Sequence, residues 1–183
     1  YMVSFVKVGF VSQDVSTGLY ELGPLALQLG LAKLQRLDAV VQASPLIREL
    51  AEQTEQSIAV AVWGNFGPTI VRLEEPTHPL HVNLRTGTVM SLVNTATGRL
   101  FAAFMPPHVI EKAMQGEVAR MGRRPGTAPS RDAEFVAALE ETRRRGLSRS
   151  LGQPIPGIDA ICAPVFDAAG NIVLGLLGMG PAG

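Results

Sequence analysis

Two hairpin signals, each joining a pair of apolar stretches, restrict this chain more than anything else in it. Residues 57–63 alternate Ile58, Val60 and Val62 against Ala59, Ala61 and Trp63, and Gly64-Asn65-Phe66-Gly67 then turns the chain into residues 69–74. Near the other end, residues 158–166 and 172–179 flank Asp167-Ala168-Ala169-Gly170-Asn171, a second hairpin turn. Consecutive apolar positions in this last pair predict strands covered on both faces. A further strand is expected over residues 80–85, with Val82 and Leu84 on one face. Antiparallel hairpins with helical stretches before and between them define an α+β fold, an antiparallel sheet flanked by helices. At 183 residues, 46% of them hydrophobic, the chain can bury one such domain and carry an appendage.

That appendage comes first. Met2, Val3, Phe5, Val6 and Val8 are apolar with no capping signal ahead of them, so the chain reads as entered in mid-element. Residues 9–22 form a small hairpin around Asp14, Ser16, Thr17 and Gly18, too short to fold alone. Gly23-Pro24 starts a helix through Leu25, Leu27, Leu29, Leu31, Leu34 and Leu37. Its leucines fill more than one stripe, as in a helix buried on most sides or shared between two chains. Asp38 caps a second helix, which runs past Ser44-Pro45 to residues 53–55.

Between the hairpins lies the most distinctive local chemistry. Residues 86–103 read as a strand end, a loop of small polar residues and an apolar helix whose first turn is Thr95, Ala96, Thr97 and Gly98. A helix start built from small residues leaves backbone N–H groups approachable by a carboxylate or phosphate. A plain cap by Asn94 or Thr95 is the other reading of the same residues. Met105-Pro106-Pro107 breaks the chain before a short helix over residues 109–114, and residues 122–129 form a loop around Arg123 and Arg124. With Arg120 these form a solvated basic loop, since no aromatic is interleaved to stack on nucleic acid. Ser130 caps a helix over residues 131–145, acidic at its start and closed by Arg143, Arg144 and Arg145 before Gly146.

Lys plus Arg equal Asp plus Glu, at 16 each, so no global charge draws the chain to nucleic acid or membrane. No apolar run approaches the roughly 18 residues of a membrane span, and no signal peptide is readable. The single cysteine, Cys162, excludes an internal disulfide and suits a reducing, cytoplasmic setting. It sits in an apolar strand without a basic neighbour, as a buried small hydrophobe does. His78, His81 and His108 lack metal-ligand spacing, so no metal or other cofactor is expected. Gly178-Met-Gly-Pro-Ala-Gly183 matches the dinucleotide fingerprint formally, but no helix or ribose-binding carboxylate follows it. No nucleophile elbow or phosphate loop occurs, and no catalytic residue is assigned.

Several segments, in order, resemble the IclR family of bacterial transcriptional regulators. Residues 9–23, Gly-Phe-Val-Ser-Gln-Asp-Val-Ser-Thr-Gly-Leu-Tyr-Glu-Leu-Gly, are similar to the family's wing and wing exit. Leu46-Ile-Arg-Glu-Leu-Ala-Glu-Gln-Thr resembles the start of its effector-binding domain. Leu100-Phe-Ala-Ala-Phe-Met-Pro, Thr142-Arg-Arg-Arg-Gly, Ile161-Cys-Ala-Pro-Val-Phe-Asp and the closing Gly180-Pro181 continue the likeness.

The resemblance implies a winged helix-turn-helix remnant over 1–22, a linker and dimerisation helix over 23–37, and a GAF-like effector-binding domain over 38–183. It implies operator DNA as partner, reached through the wing and a recognition helix that these residues lack, and assembly into homodimers or tetramers. Leu19 and Glu21 stand where the family's wing is commonly basic. A small organic acid effector is expected between the helix start and the last two strands. Asn94, Thr95, Ala96 and Thr97 would meet its carboxylate, Val82, Met90 and Leu92 would form an apolar wall, and Ser150, Ile158, Ala160, Leu177 and Met179 the far side. Apolar residues at 160, 177 and 179 imply a hydrophobic, aromatic or branched acid. The rival from another class is an enzyme of GAF-like fold using Cys162 or Ser150.

Overall fold

A computed structural model describes residues 1–35, 37–77, 84–121 and 133–182. The chain falls into two compact units, Tyr1–Gln42 and Ala43–Gly183. In the first, helix α1 (Met2–Lys7) precedes a hairpin of β1 (Val11–Gln13) and β2 (Tyr20–Leu22). Its turn is tied by Asp14, whose Oδ1 accepts the backbone N–H groups of Ser16 at 2.7 Å and Thr17 at 3.0 Å. Helix α2 (Pro24–Gln35) follows, with Pro24 at its first position and no residue buried. Helix α3 (Asp38–Thr54) begins in this unit and ends in the next.

The second unit is built on a five-stranded antiparallel sheet in the order β4-β3-β7-β6-β5. Strands β3 (Ser57–Gly64) and β4 (Gly67–Glu74) form the first expected hairpin, β6 (Ile158–Phe166) and β7 (Ile172–Pro181) the second. Ala59 on β3 lies opposite Leu177 on β7, which lies opposite Cys162 on β6, itself opposite Ser148 on β5. Met179, Ala160 and Ser150 make the adjoining row. Since side chains alternate faces along a strand, both rows face the same way.

Helix α4 (Ala96–Phe104) covers that face, and seven of its nine residues are buried. Leu100 and Phe101 pack with Ala59, Ala61, Cys162 and Leu177. Ala102 turns away into a second cluster with Leu92 from the segment before α4, Ile110 and Met114 of α5 (Pro107–Met121) and Phe135 of α6 (Ala133–Arg145). Buried on both sides, α4 carries an apolar surface all round. Arg143 of α6 donates to the carbonyl of Ala103 at 2.8 Å and satisfies one orphan acceptor at the end of α4.

The structure departs from three expectations. The fifth strand is β5 (Ser148–Leu151). Of the strand expected over 80–85, residues 80–83, Val82 among them, lie outside the described residues, and Leu84 and Arg85 are in no strand. Helix α5 is longer than residues 109–114, because Pro107, lacking the N–H that a first turn does not need, starts it earlier. The last strands are not covered on both faces either: Ile161 is 52% exposed and Val165 41%. Gly122, Arg123, Arg124, the Ser130 cap, His78 and His81 lie outside the described residues.

Candidate functional site

The start of α4 is set by packing. A Cβ on Gly98 would come within 1.9 Å of the Ser91 carbonyl oxygen and 2.5 Å of the Leu92 Cα, so only glycine lets the helix rest directly on the segment before it. Thr95 is the N-cap: its Oγ1 accepts the N–H of Gly98 at 2.9 Å and donates to the Ser91 carbonyl at 2.8 Å. The backbone N–H groups of Ala96 and Thr97 have no acceptor among the described residues. Thr97 is fully buried, and its hydroxyl makes no well-formed hydrogen bond. Two backbone donors are thus left unspent where the helix dipole is positive, and the Thr97 hydroxyl beside them neighbours the Cys162 thiol.

These groups border a cavity of about 90 Å³ between the helix start and strands β5, β6 and β7. Of the expected residues, Met90, Thr95, Ala96, Thr97, Ser150, Ile158, Ala160, Leu177 and Met179 line it together. Leu92 does not: it is buried in the other cluster, against Ile110 and Met114. Asn94 is exposed, and its N–H is taken up by Ser91 Oγ at 3.3 Å. Val82 lies outside the described residues. Leu84, Gln153, Pro154 and Ile155 complete the wall and were not expected. The Gly152, Pro154, Pro156 and Gly157 cluster was the available signal, since a loop so punctuated between two strands must fold back over the sheet.

Around the cavity, polar contacts fix the frame. Arg99 donates to the carbonyls of Val93 at 3.0 Å and of Arg149 at 2.9 Å, tying α4 to β5. Burial holds its guanidinium below the usual range, with Glu134 opposing that shift. Ser150 Oγ donates to the Gln153 carbonyl and Asp159 Oδ1 accepts the Gly152 N–H at 2.8 Å, which fold the loop over the cavity mouth.

Neither candidate nucleophile is activated. Burial pushes the Cys162 thiol up to about 12, and the neighbouring Thr97 hydroxyl opposes this without reversing it. A fully buried, protonated thiol attacks nothing. The Ser150 proton points at a carbonyl, with no His or carboxylate hydrogen-bonded to it among the described residues. No cluster of His, Cys, Asp and Glu that would hold a metal occurs among the described residues, and no helix there is long and apolar enough to cross a membrane.

One antiparallel sheet roofed by a buried helix places the protein among GAF-like α+β domains. The profile of the bacterial transcriptional regulator IclR C-terminal family matches residues 31–177. The chain belongs to the IclR family. HTH-type transcriptional regulator BhcR of Paracoccus denitrificans is 25% identical over 180 residues, which span 98% of this chain and 64% of BhcR. The crystal structure of HmgR from Pseudomonas aeruginosa is 35% identical at a TM-score of 0.69, covering 99% of this chain and 71% of that one. An IclR-family transcriptional regulator from Brucella abortus has a TM-score of 0.76 at 23% identity, over 98% and 67% of the two chains. The chain thus spans about two thirds of the curated relatives it matches.

Proposed function

We propose that this chain is the effector-sensing and oligomerising part of an IclR-type transcriptional regulator whose effector is a compact, branched carboxylic acid. The observation that carries this reading is the meeting of two unpaired backbone donors, the N–H groups of Ala96 and Thr97, beside the Thr97 hydroxyl, with a cavity otherwise almost wholly apolar. Carboxylate oxygens take the donors, and the body lies against Ile158, Ala160, Leu177 and Met179. A cavity of about 90 Å³ suits a compact body such as a branched aliphatic chain.

In the full protein, residues 1–22 serve as the wing, 23–37 as the linker helix of a homodimer or tetramer, and 38–183 as the effector domain. Binding favours one pose of the paired linker helices and so changes affinity for operator DNA in the cytoplasm.

A thermal-shift screen of isobutyrate, isovalerate and pivalate against wild type and Thr97→Val tests the site. A ligand at a hundred times its Kd stabilises wild type by about 2.7 kcal/mol. Valine keeps the shape and removes the hydroxyl, so the same acid at the same concentration gives a much smaller shift. Stabilisation undiminished in Thr97→Val, or by none of the acids in wild type, sinks the assignment.

A further inference from the structure

A second opening lies on the face of the sheet turned away from α4. Side chains alternate along a strand, so Leu177 and Met179 point at the helix while Leu176, Gly178 and Gly180 point the other way. On that face the end of α3 and strands β3, β7 and β6 border an open groove of about 470 Å³. Leu50, Ile58, Ile161, Ala163 and Leu176 give it an apolar lining.

The glycine at its centre is required by neither backbone nor packing among the described residues. Gly178 stands between Ile58 and Ile161 in the register, and its φ is not positive. A Cβ there would meet only Ile58 Cδ1, at 3.6 Å, an ordinary contact. A glycine inside a strand weakens it, and one that the fold does not ask for leaves room for the close approach of a ligand.

Two residues along β7, polar groups gather around Gly180. Gln56 lays its amide over this residue: a Cβ on Gly180 would run into Gln56 Oε1, which is buried with no hydrogen-bond partner among the described residues. Asp159 faces Gly180 from β6. Facing positions on neighbouring strands lie about 5 Å apart at Cβ, so the amide and the carboxylate flank one spot. Asp159 Oδ1 holds the Gly152 N–H at 2.8 Å, and Oδ2 has no partner among the described residues. The Thr54 hydroxyl donates to the Leu50 carbonyl at 2.7 Å and offers the groove only lone pairs. The border thus carries a carboxylate and no cation; Arg149, exposed on β5 opposite Ile161, is not part of it.

We propose that this groove is a second ligand site, taking a primary ammonium with an apolar tail: the ammonium between Asp159 and Gln56, the tail along Gly178 against Ile161 and Leu176. An ammonium has three donors and no acceptor. One N–H goes to the free Asp159 oxygen as a charge-assisted hydrogen bond, and the Gln56 oxygen turns to another and is no longer unpaired. This assignment is independent of the acid-binding cavity, which lies on the opposite face of the sheet.

Phenethylamine, protonated at about pH 7, is the probe. Titrated calorimetrically into the full chain it binds saturably, and in isotope-labelled protein it shifts the amide signals of Ile161, Gly178 and Gly180. Asp159→Asn keeps an oxygen for the Gly152 N–H, removes the charge and weakens binding about tenfold, and anionic phenylpropionate binds at least about tenfold more weakly than the amine. Gly178→Val fills the floor of the groove with a residue that favours strands, so the variant folds with undiminished Tm and does not bind the amine. The proposal is overturned by no saturation, by unchanged affinity in Asp159→Asn or Gly178→Val, or by amide shifts confined to Ala96, Thr97 and Ser150. Concentration-dependent self-association that Gly178→Val abolishes overturns it too, by making this face an interface between copies of the chain.

Discussion

The carboxylate of Glu117, buried on α5, accepts the backbone N–H of Leu92 at 3.1 Å, across 25 residues of sequence. Leu92 lies in the segment on which α4 rests: Ser91 takes the Thr95 hydroxyl, and Thr95 caps the helix. A side chain on α5 therefore fixes the position of the cavity's donor end without touching the cavity.

Removing that anchor strands a buried N–H, and hydrogen bonds to charged groups contribute about 1.5 to 3 kcal/mol. Glu117→Ala is expected to lower unfolding stability by about 3 kcal/mol in urea titration. Glu117→Gln keeps the acceptor and loses less than half of that. Equal losses in the two variants would show that charge, rather than the bond to Leu92, holds the segment.

Gly98→Ala adds one methyl where the Ser91 carbonyl already stands. Helix propensity alone predicts a gain of about 1 kcal/mol from this change. The clash reverses the sign, with an expected loss of about 3 kcal/mol in chemical denaturation. A stabilised variant would mean that α4 sits further from residues 91–92 than described.

The contrast at Gly98 shows where sequence reasoning works and where it stops. The two hairpins were legible because their turns carry their own chemistry: Asp167 Oδ1 accepts the N–H groups of Ala169 and Asn171, each at 2.9 Å. Strand β5 was not legible because its pattern is inverted. Ser148 and Ser150 are buried while Leu151 is 61% exposed, so a search for inward apolar residues passes over it. Leu92 was placed in the cavity wall by the family resemblance, and its apolar character does not say which of two cores it joins. Thr95, Ala96 and Thr97 were readable from the helix start they form, whereas Gln153, Pro154 and Ile155 reach the cavity through a loop fold that no periodicity encodes.

Helix α2 presents Leu27 at 66%, Leu29 at 53% and Leu31 at 51% exposure. A mostly apolar helix with no buried residue gains its stability from something it packs on. If a second copy supplies that surface, Leu27→Glu with Leu31→Glu, one turn apart, converts the assembly to monomers in sedimentation and lowers helix content by no more than the α2 turns. An unchanged oligomer would move the dimer contact away from α2.

Cys162 offers a test through pH. Its thiol ionises near 9.0 when exposed and only at about 12 in the folded protein, because burial disfavours the thiolate. Between these values the unfolded chain has released the proton and the folded chain still holds it. Folding stability from this group is therefore intact below about pH 9 and declines by about 1.4 kcal/mol per unit above it. Wild type is expected to lose stability faster than Cys162→Ala between about pH 9 and 11, a comparison that cancels the other titrating groups. At about pH 8 a thiol reagent labels the native protein only as fast as it opens, and labels the denatured chain at once. Rapid native labelling would show that the sheet face beneath α4 is open to solvent at Cys162.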